Sequence, residues 1–196
     1  MDVSRETETL LGEYASLLRK WNPRINLVAP STLPDLEERH LRDCLQVASL
    51  ALPQSGTWVD LGSGGGLPGI VMSVAARSTD TDFILVESDG RKAAFLRTVV
   101  RELGLEKTQV VSSRIESLNP LKAAYISARA LAPLPRLMPY LTQHLAQGGQ
   151  AWLMKGRQWQ KEVDEAALNW RFSFEAHSSI TENSAAILKI WGIDHV

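Results

Sequence analysis

The stretch Trp58–Gly69, W-V-D-L-G-S-G-G-G-L-P-G, decides the fold of this chain. A short apolar run ends in Asp60-Leu61, and five glycines then fall within the eight residues Gly62–Gly69. Glycine lacks a Cβ and reaches positive φ, so this run allows a tight turn in which a ligand lies against bare main chain. Pro68 favours a helix start, because proline in the first helical turn loses no hydrogen bond. The stretch predicts a strand, a turn and a helix whose free amides suit the polar or anionic end of a nucleotide-like ligand.

Two classes of ligand are bound by turns of this kind. The dinucleotide pattern G-x-G-x-x-G occurs at Gly64, Gly66 and Gly69. It fails when counted from the first glycine after the strand, because Leu67 then stands in its last position. The pattern D-x-G-x-G-x-G over Asp60–Gly66 is similar to motif I of class I S-adenosylmethionine (AdoMet) methyltransferases. A glycine-rich turn that binds no ligand is a third interpretation.

Length and composition limit the class of protein. A chain of 196 residues with 44% hydrophobic and 22% charged residues is typical of one soluble globular domain with a short extension. Its one cysteine, Cys44, allows no disulfide within the chain and favours a reducing, cytoplasmic location. The polar start Met1–Leu10 does not look like a signal peptide, and no apolar run approaches the roughly 20 residues of a membrane span. The net charge of −1 means that nucleic acid would need a local basic patch.

Helical patterns precede an alternation of strands and helices. Residues 1–55 form a predicted N-terminal helical extension with helices over Glu6–Trp21, ended by Asn22-Pro23, and over Leu36–Ala51. Residues 56–196 form the predicted main domain, a doubly wound α/β fold with a mostly parallel seven-stranded sheet. Ligands bind such sheets at the carboxyl ends of the strands, where the strand order reverses. The predicted strands are Thr57–Leu61, Asp82–Glu87, Thr108–Ser112, Tyr125–Ala128, Ala151–Lys155, and an antiparallel pair over Arg171–Ala176 and Ala185–Ile193.

Several short motifs occur together along most of the chain. They are Trp21-Asn22 with Asn26-Leu27, Arg39-His40 with Asp43, Asp60–Gly69, Arg91-Lys92 with Phe95-Leu96, Arg114-Ile115-Glu116, Arg129-Ala130 and Leu153-Met154-Lys155-Gly156. This set resembles the bacterial 16S ribosomal RNA guanine-N7 methyltransferase G family, also called GidB. The resemblance implies a class I, Rossmann-like AdoMet methyltransferase that acts on N7 of a guanine in the 530 loop of 16S ribosomal RNA. Its partners would be that RNA and the small ribosomal subunit, without DNA or membrane, and we expect a monomer.

Residues at the strand ends predict the cofactor site. The Asp60 carboxylate could hold amides of the turn or the ammonium group of AdoMet, or could simply cap the turn. Glu87 could accept hydrogen bonds from both ribose hydroxyls, a role that NAD-binding folds share. The resemblance places Arg129 at the cofactor site, facing the methyl-transfer centre, although a structural ion pair is an alternative. The full set that the residues and the resemblance imply is Asp60, Gly62, Gly64, Gly66, Leu67, Glu87, Ile115, Glu116 and Arg129, with the adenine at Ile115 and Glu116.

Basic residues provide the candidates for RNA contact. They could bind phosphates, although a solvated surface, or a packed histidine, is the alternative for each. Three positions depart from the family pattern, at Ala124, Ala128 and Cys44, and the departures remove polar groups near the expected site. The candidates are Arg24, Arg39, His40, Lys155 and Arg157.

The expected chemistry needs no catalytic side chain. Guanine N7 has a lone pair and no proton, so alignment of the reactants suffices and no general base is predicted. Pyrimidine C5 methylation needs a thiolate, and Cys44 is far in sequence from the expected centre. No spacing of Cys and His indicates a metal. Two alternatives remain, an NAD(P)-dependent oxidoreductase and a non-catalytic RNA-binding or ribosome-assembly factor with a decayed transferase site.

Overall fold

The computed structural model describes residues 3–196 and contains one seven-stranded sheet in the order β3-β2-β1-β4-β5-β7-β6. The pairing is parallel except that β7 runs antiparallel to both of its neighbours. The predicted doubly wound, mostly parallel sheet is therefore confirmed. The strands are β1 (Ser55–Leu61), β2 (Asp80–Val86), β3 (Thr108–Val111), β4 (Ala123–Arg129), β5 (Leu145–Lys155), β6 (Trp170–Ser178) and β7 (Ala186–His195).

The strand order reverses between β1 and β4. In the register, Asp60 of β1 stands beside Leu85 of β2 on one side and Ser127 of β4 on the other. Dinucleotide-binding folds of the Rossmann type have the order 3-2-1-4-5-6 in a mostly parallel sheet, with no strand inserted between the fifth and the sixth. The antiparallel β7 between β5 and β6 distinguishes this sheet from that order, which counts against the oxidoreductase alternative.

Helices cover both faces of the sheet. Helices α1 to α4 share one hydrophobic core with Trp58 and Phe83, and α5 and α6 share a second core with Val59 and Ile126. None of the helices within residues 3–196 combines the length and the hydropathy that crossing a membrane requires. The helices are α1 (Arg5–Ile25), α2 (Arg42–Ala51), α3 (Gly69–Ala75), α4 (Gly90–Glu102), α5 (Leu134–His144) and α6 (Trp159–Ala167), with a π turn over Glu37–Leu41 that leads into α2.

The end of the first helix differs from the prediction. Helix α1 continues through Pro23 and ends at Ile25, with Asn26 as a left-handed cap at φ 54°. The side chain of Asn22 accepts hydrogen bonds from the amides of Leu27 and Val28 at 2.7 and 2.8 Å. These bonds fix the chain beyond the helix end, so the last turn forms although proline disfavours a helical residue before it.

The N-terminal extension packs into the same core as the sheet. Leu11, Tyr14 and Leu18 of α1 and Val47 of α2 are fully or almost fully buried in the core that contains Phe95 of α4. Residues 1 and 2 of the extension lie outside the described residues. Strand β1 begins at residue 55, and the division into 1–55 and 56–196 stays a prediction about organisation.

Candidate functional site

The glycine turn that follows β1 has one open side and one side packed against the core. Gly62, Gly64 and Gly66 have φ of +66°, +55° and +91°, so each adopts a conformation that favours glycine. A Cβ placed on Gly64 would meet nothing nearer than the Gly62 carbonyl oxygen at 3.8 Å. A Cβ on Gly66 would lie 2.5 Å from a side-chain carbon of Ile70, inside the core. Of the three predicted glycines, Gly64 faces open space and Gly66 serves packing.

The packed side of the turn is held by the N-terminal extension. The hydroxyl of Tyr14, a fully buried residue of α1, donates a hydrogen bond to the carbonyl oxygen of Gly65 at 2.5 Å. A Cβ on Gly65 would contact Leu18 and Leu27, both at 3.4 Å. The helical periodicity of α1 marks Tyr14 only as a core residue and gives no sign of this hydrogen bond. The N-terminal extension therefore packs against one side of the glycine turn.

Asp60 supports the turn from beneath. It is 1% exposed, and its carboxylate accepts hydrogen bonds from the Ser127 hydroxyl at 2.6 Å and the Gly69 amide at 3.3 Å. The Ser127 oxygen in turn accepts from the Trp58 indole N–H at 2.8 Å. Burial raises the pKa of Asp60 to about 6, against the lowering effect of these hydrogen bonds. These contacts show the carboxylate holding the Gly69 amide, as a turn-capping aspartate also does, and contact with a ligand ammonium stays a prediction.

Glu87 connects the end of β2 to the glycine turn through a hydrogen bond. It follows β2 directly, and its carboxylate accepts from the Gly64 amide at 2.8 Å and from the Asp89 amide at 2.7 Å. A carboxylate oxygen has further lone pairs, so these two bonds leave capacity for hydroxyl donors. Glu87 thus stands beside the open face of Gly64, where the sequence predicts the ribose.

The predicted adenine segment is a short helical turn over Ile115–Ser117. Ile115 is 8% exposed, whereas Glu116 is exposed and lies 3.7 Å from Arg114. The carbonyl oxygen of Ile115 is 3.1 Å from Nε2 of the fully buried His144. The segment is therefore fixed from α5, with Ile115 as its apolar residue. Leu67, the remaining predicted cofactor contact, is 8% exposed and belongs to the core.

Arg129, at the end of β4, is bound to the N-terminal extension. One Nη atom donates to His40 Nδ1 at 2.6 Å, and the other lies 3.7 Å from Cys44 Sγ. Burial and the charge of Arg129 lower the pKa of His40 to about 4, so His40 is neutral and does not provide a cation for phosphate. Burial raises the pKa of the Cys44 thiol to about 12, which keeps it protonated. Cys44 is therefore close in space to the expected centre, contrary to its distance in sequence, and its buried thiol stays protonated.

A cleft of about 570 Å³ opens beyond the carboxyl ends of β4 and β5. Leu131 lines it, and its Cδ1 would lie 2.6 Å from a Cβ placed on Gly62. Leu131 thus separates the cleft from the glycine turn, which makes two neighbouring spaces at the switch point. The other lining residues include Thr32, Arg39, His40, Asp43, Arg129, Lys155 and Glu162. From the segment 179–187 they include Ser179, Thr181, Glu182, Ala185, Ala186 and Ile187.

The basic RNA candidates differ in accessibility. Arg24, Arg39 and Arg157 are exposed, and Arg39 lines the cleft. Lys155 is 8% exposed and donates to the Ala132 carbonyl oxygen, and it pairs with Glu162, both at 2.7 Å. These contacts occupy Lys155 within the protein, so the structure gives it a role in fixing the loop after β4.

The departures from the family pattern lie at different places. Ala124 is at the start of β4, where its Cβ faces Gly56 at the amino edge of the sheet. The expectation that a polar group is lost near the site is therefore wrong for this position. Ala128 is buried beside Arg129, and Ser127 provides a hydroxyl to Asp60 one residue earlier.

The strand order and the glycine turn at its switch point define the class I methyltransferase fold. A SAM-dependent methyltransferase from Aquifex aeolicus has a TM-score of 0.61 and 13% identity, with 90% of this chain and 97% of that chain covered. A fibrillarin from Aeropyrum pernix with natively bound S-adenosyl-L-methionine has a TM-score of 0.59 and 14% identity, with 77% and 74% covered. At such low identity, these likenesses concern the fold.

Sequence relatives identify the family. The family model GidB, described as rRNA small subunit methyltransferase G, matches residues 7–190. The protein named ribosomal RNA small subunit methyltransferase G from Paracoccus denitrificans is 55% identical over 195 residues, with 100% of both chains covered. Its namesake from Ruegeria pomeroyi is 49% identical over 198 residues, with 100% of this chain and 96% of the relative covered. The chain belongs to the GidB family, and the predicted family and fold are confirmed.

Proposed function

We propose that this protein transfers the methyl group of AdoMet to N7 of a guanine in the 530 loop of 16S ribosomal RNA. The observation that carries the proposal is the pair of spaces at the switch point, one at the open face of Gly64 and the other the cleft beyond β4. A transfer between two ligands needs two such neighbouring spaces, and the Leu131 side chain lies between them. Family membership supports a ribosomal RNA of the small subunit as the acceptor.

The residues around the glycine turn fit AdoMet. Gly64 offers main chain without a side chain, Glu87 places a carboxylate beside it, and Ile115 adds a buried apolar residue. In this proposal Gly64 lies under the methionine part, Glu87 accepts from the ribose hydroxyls, and Ile115 contacts the adenine. Asp60 keeps the turn in place through the Gly69 amide. When bound, AdoMet supplies a methyl group that its sulfonium already activates.

The chain has to orient the guanine and exclude water, because N7 carries a lone pair and no proton. No side chain has to remove a proton, and His40 and Cys44 are both neutral and held by Arg129. The cleft beyond β4 has room for a base that is splayed out of its stack, which is least costly in RNA loops. Arg39, an exposed arginine that lines the cleft, is the candidate for a contact with the RNA phosphates.

Labelled methyl transfer tests the proposal. The protein is incubated with tritiated AdoMet and 30S subunits from cells that lack this gene, and the RNA is digested to nucleosides. We expect the label in N7-methylguanosine. Label in another nucleoside would overturn the guanine-N7 assignment.

Titration calorimetry with AdoMet and NADH separates the other classes. We expect binding of AdoMet and no binding of NADH, whereas binding of NADH alone would overturn the methyltransferase proposal. Binding of the RNA without incorporation of label would favour a non-catalytic assembly factor. Wild-type protein heated to unfold serves as the background control for the transfer assay.

A further inference from the structure

We infer that His40 is the positioning residue of the transfer site, and that it acts by holding the guanidinium of Arg129 over the cleft. The inference rests on the proposed function, since it concerns the same reaction. It assigns to the N-terminal extension a part in methyl transfer that is separate from RNA contact. The residues that carry it are Arg129, His40 and Thr32, from three elements that are distant in the chain.

The three side chains form a directed chain of hydrogen bonds. Arg129 can only donate, so its 2.6 Å contact makes His40 Nδ1 an acceptor. The neutral ring then carries its proton on Nε2, which lies 2.8 Å from the Thr32 hydroxyl oxygen. That hydroxyl donates onward to the Ala29 carbonyl oxygen at 2.7 Å. Every proton in the chain therefore has one direction, from β4 to the turn Pro30–Thr32.

Burial makes this arrangement specific. His40 is 9% exposed, and its burial, together with the positive charges of Arg129 and Arg39, lowers its pKa. A protonated imidazole would place a second cation against Arg129, which the low pKa of His40 prevents. Asp43, the acid of α2 that lines the cleft, accepts hydrogen bonds from the hydroxyls of Ser179 and Thr181 at 3.0 and 3.1 Å. The neutral histidine is thus the nitrogen acceptor that the extension presents to Arg129, at a shorter distance than the Cys44 sulfur.

The hydrogen bond to His40 holds the flexible side chain of Arg129 in one direction. Arginine loses much conformational freedom when it is ordered, and a guanidinium already held in place meets its ligand without that loss. Arg129 begins the segment that passes through Leu131 along the cleft. His40 therefore sets where the positive charge lies relative to the place where the reactants meet.

Two substitutions of His40 distinguish positioning from packing. The amide oxygen of Asn reaches the place of Nδ1 and can accept from Arg129, whereas the amide of Gln reaches the place of Nε2. We expect H40Q to lower kcat/KM for 30S subunits by about 10- to 100-fold, the effect of losing a hydrogen bond to a charged group. H40N should lose no more than about threefold, because the Asn oxygen keeps an acceptor for Arg129. His195→Gln, at the end of β7 on the side of the sheet where the parallel strands begin, is the control and should leave kcat/KM unchanged.

A double-mutant cycle tests whether His40 acts through Arg129. In an Arg129→Met background, which leaves His40 Nδ1 without this donor, H40Q should have little further effect. Equal loss in H40N and H40Q, or independent losses in the double variant, would overturn the inference. Nitrogen NMR of the wild-type protein at pH 6 should show His40 neutral with its proton on Nε2, and a proton on Nδ1 would also overturn it. If wild-type protein transfers no methyl group at all, the proposed function fails. The NMR result alone then tests the chain of hydrogen bonds from Arg129 to Thr32.

Discussion

Replacing Asp60 with Asn should change how the stability of this protein depends on pH. The Asp60 carboxylate is 1% exposed, and burial raises its pKa from the ordinary 3.8 to about 6. The folded state therefore binds a proton more tightly than the unfolded state. The stability that this group contributes is greatest below pH 3.8 and is lost as the pH rises through about 6.

The expected size of the change in the free energy of unfolding follows from the two pKa values. A pKa of about 6 against 3.8 corresponds to about 3 kcal/mol over the whole range, of which about 1.4 kcal/mol falls between pH 7 and pH 5. Asn cannot titrate, and its amide can still accept from the Gly69 N–H and donate to the Ser127 oxygen. The free energy of unfolding of D60N relative to wild type should therefore fall by about 1.4 kcal/mol from pH 7 to pH 5.

Urea denaturation at the two pH values measures this difference, and comparison with wild type cancels the titration of other groups. Asp80→Asn is the control, because Asp80 is exposed and its hydrogen bond to Lys107 lowers its pKa. Asp80 thus stays ionised at both pH values, and the difference between this variant and wild type should not depend on pH. A relative stability of D60N that is the same at pH 7 and pH 5 would refute the reasoning.

Three further substitutions test the glycine turn and the RNA surface. Gly64→Val should abolish AdoMet binding in calorimetry, whereas Gly148→Val, at the comparable φ of +77° with nothing within 4 Å, should only cost stability; equal affinities in the two variants would contradict the placement of the cofactor. Tyr14→Phe leaves the Gly65 carbonyl without its donor, so melting curves should show a loss of about 1–3 kcal/mol, and AdoMet should bind more weakly; an unchanged melting temperature would show that the bond contributes nothing. Arg39→Ala should weaken RNA binding in filter assays, most visibly at low salt, and leave AdoMet affinity unchanged; loss of both would indicate a structural role.

The sequence predicts those features that depend on local pattern. The turn over Gly62–Gly66, the strand before it and the antiparallel strands at the end all follow from glycine spacing and short apolar runs. The end of α1 was predicted wrongly, because the rule for proline is local and the side chain of Asn22 compensates for it from outside the pattern. Sequence could not show that compensation.

The roles of individual polar residues depend on pairing between distant segments. Ser127 meets Asp60 only through the register of β4 on β1, and Cys44 meets Arg129 only through the packing of α2. Lys155 was predicted to contact RNA from its charge, although its partner Glu162 comes from the following helix. Charge and motif identify candidate residues, and tertiary structure decides which of them still have a free polar group.

The position of β7 between β5 and β6 constrains how the sheet can be assembled. Strand β6 is synthesised before β7, but it cannot join the sheet directly, because the free edge of β5 pairs with β7 and β6 pairs with β7. Until β7 arrives, the chain carries one detached strand and one bare sheet edge, and both are templates for pairing with other molecules. A nascent chain stalled before residue 186 should therefore be prone to aggregation and dependent on chaperones, even though its glycine turn is already complete.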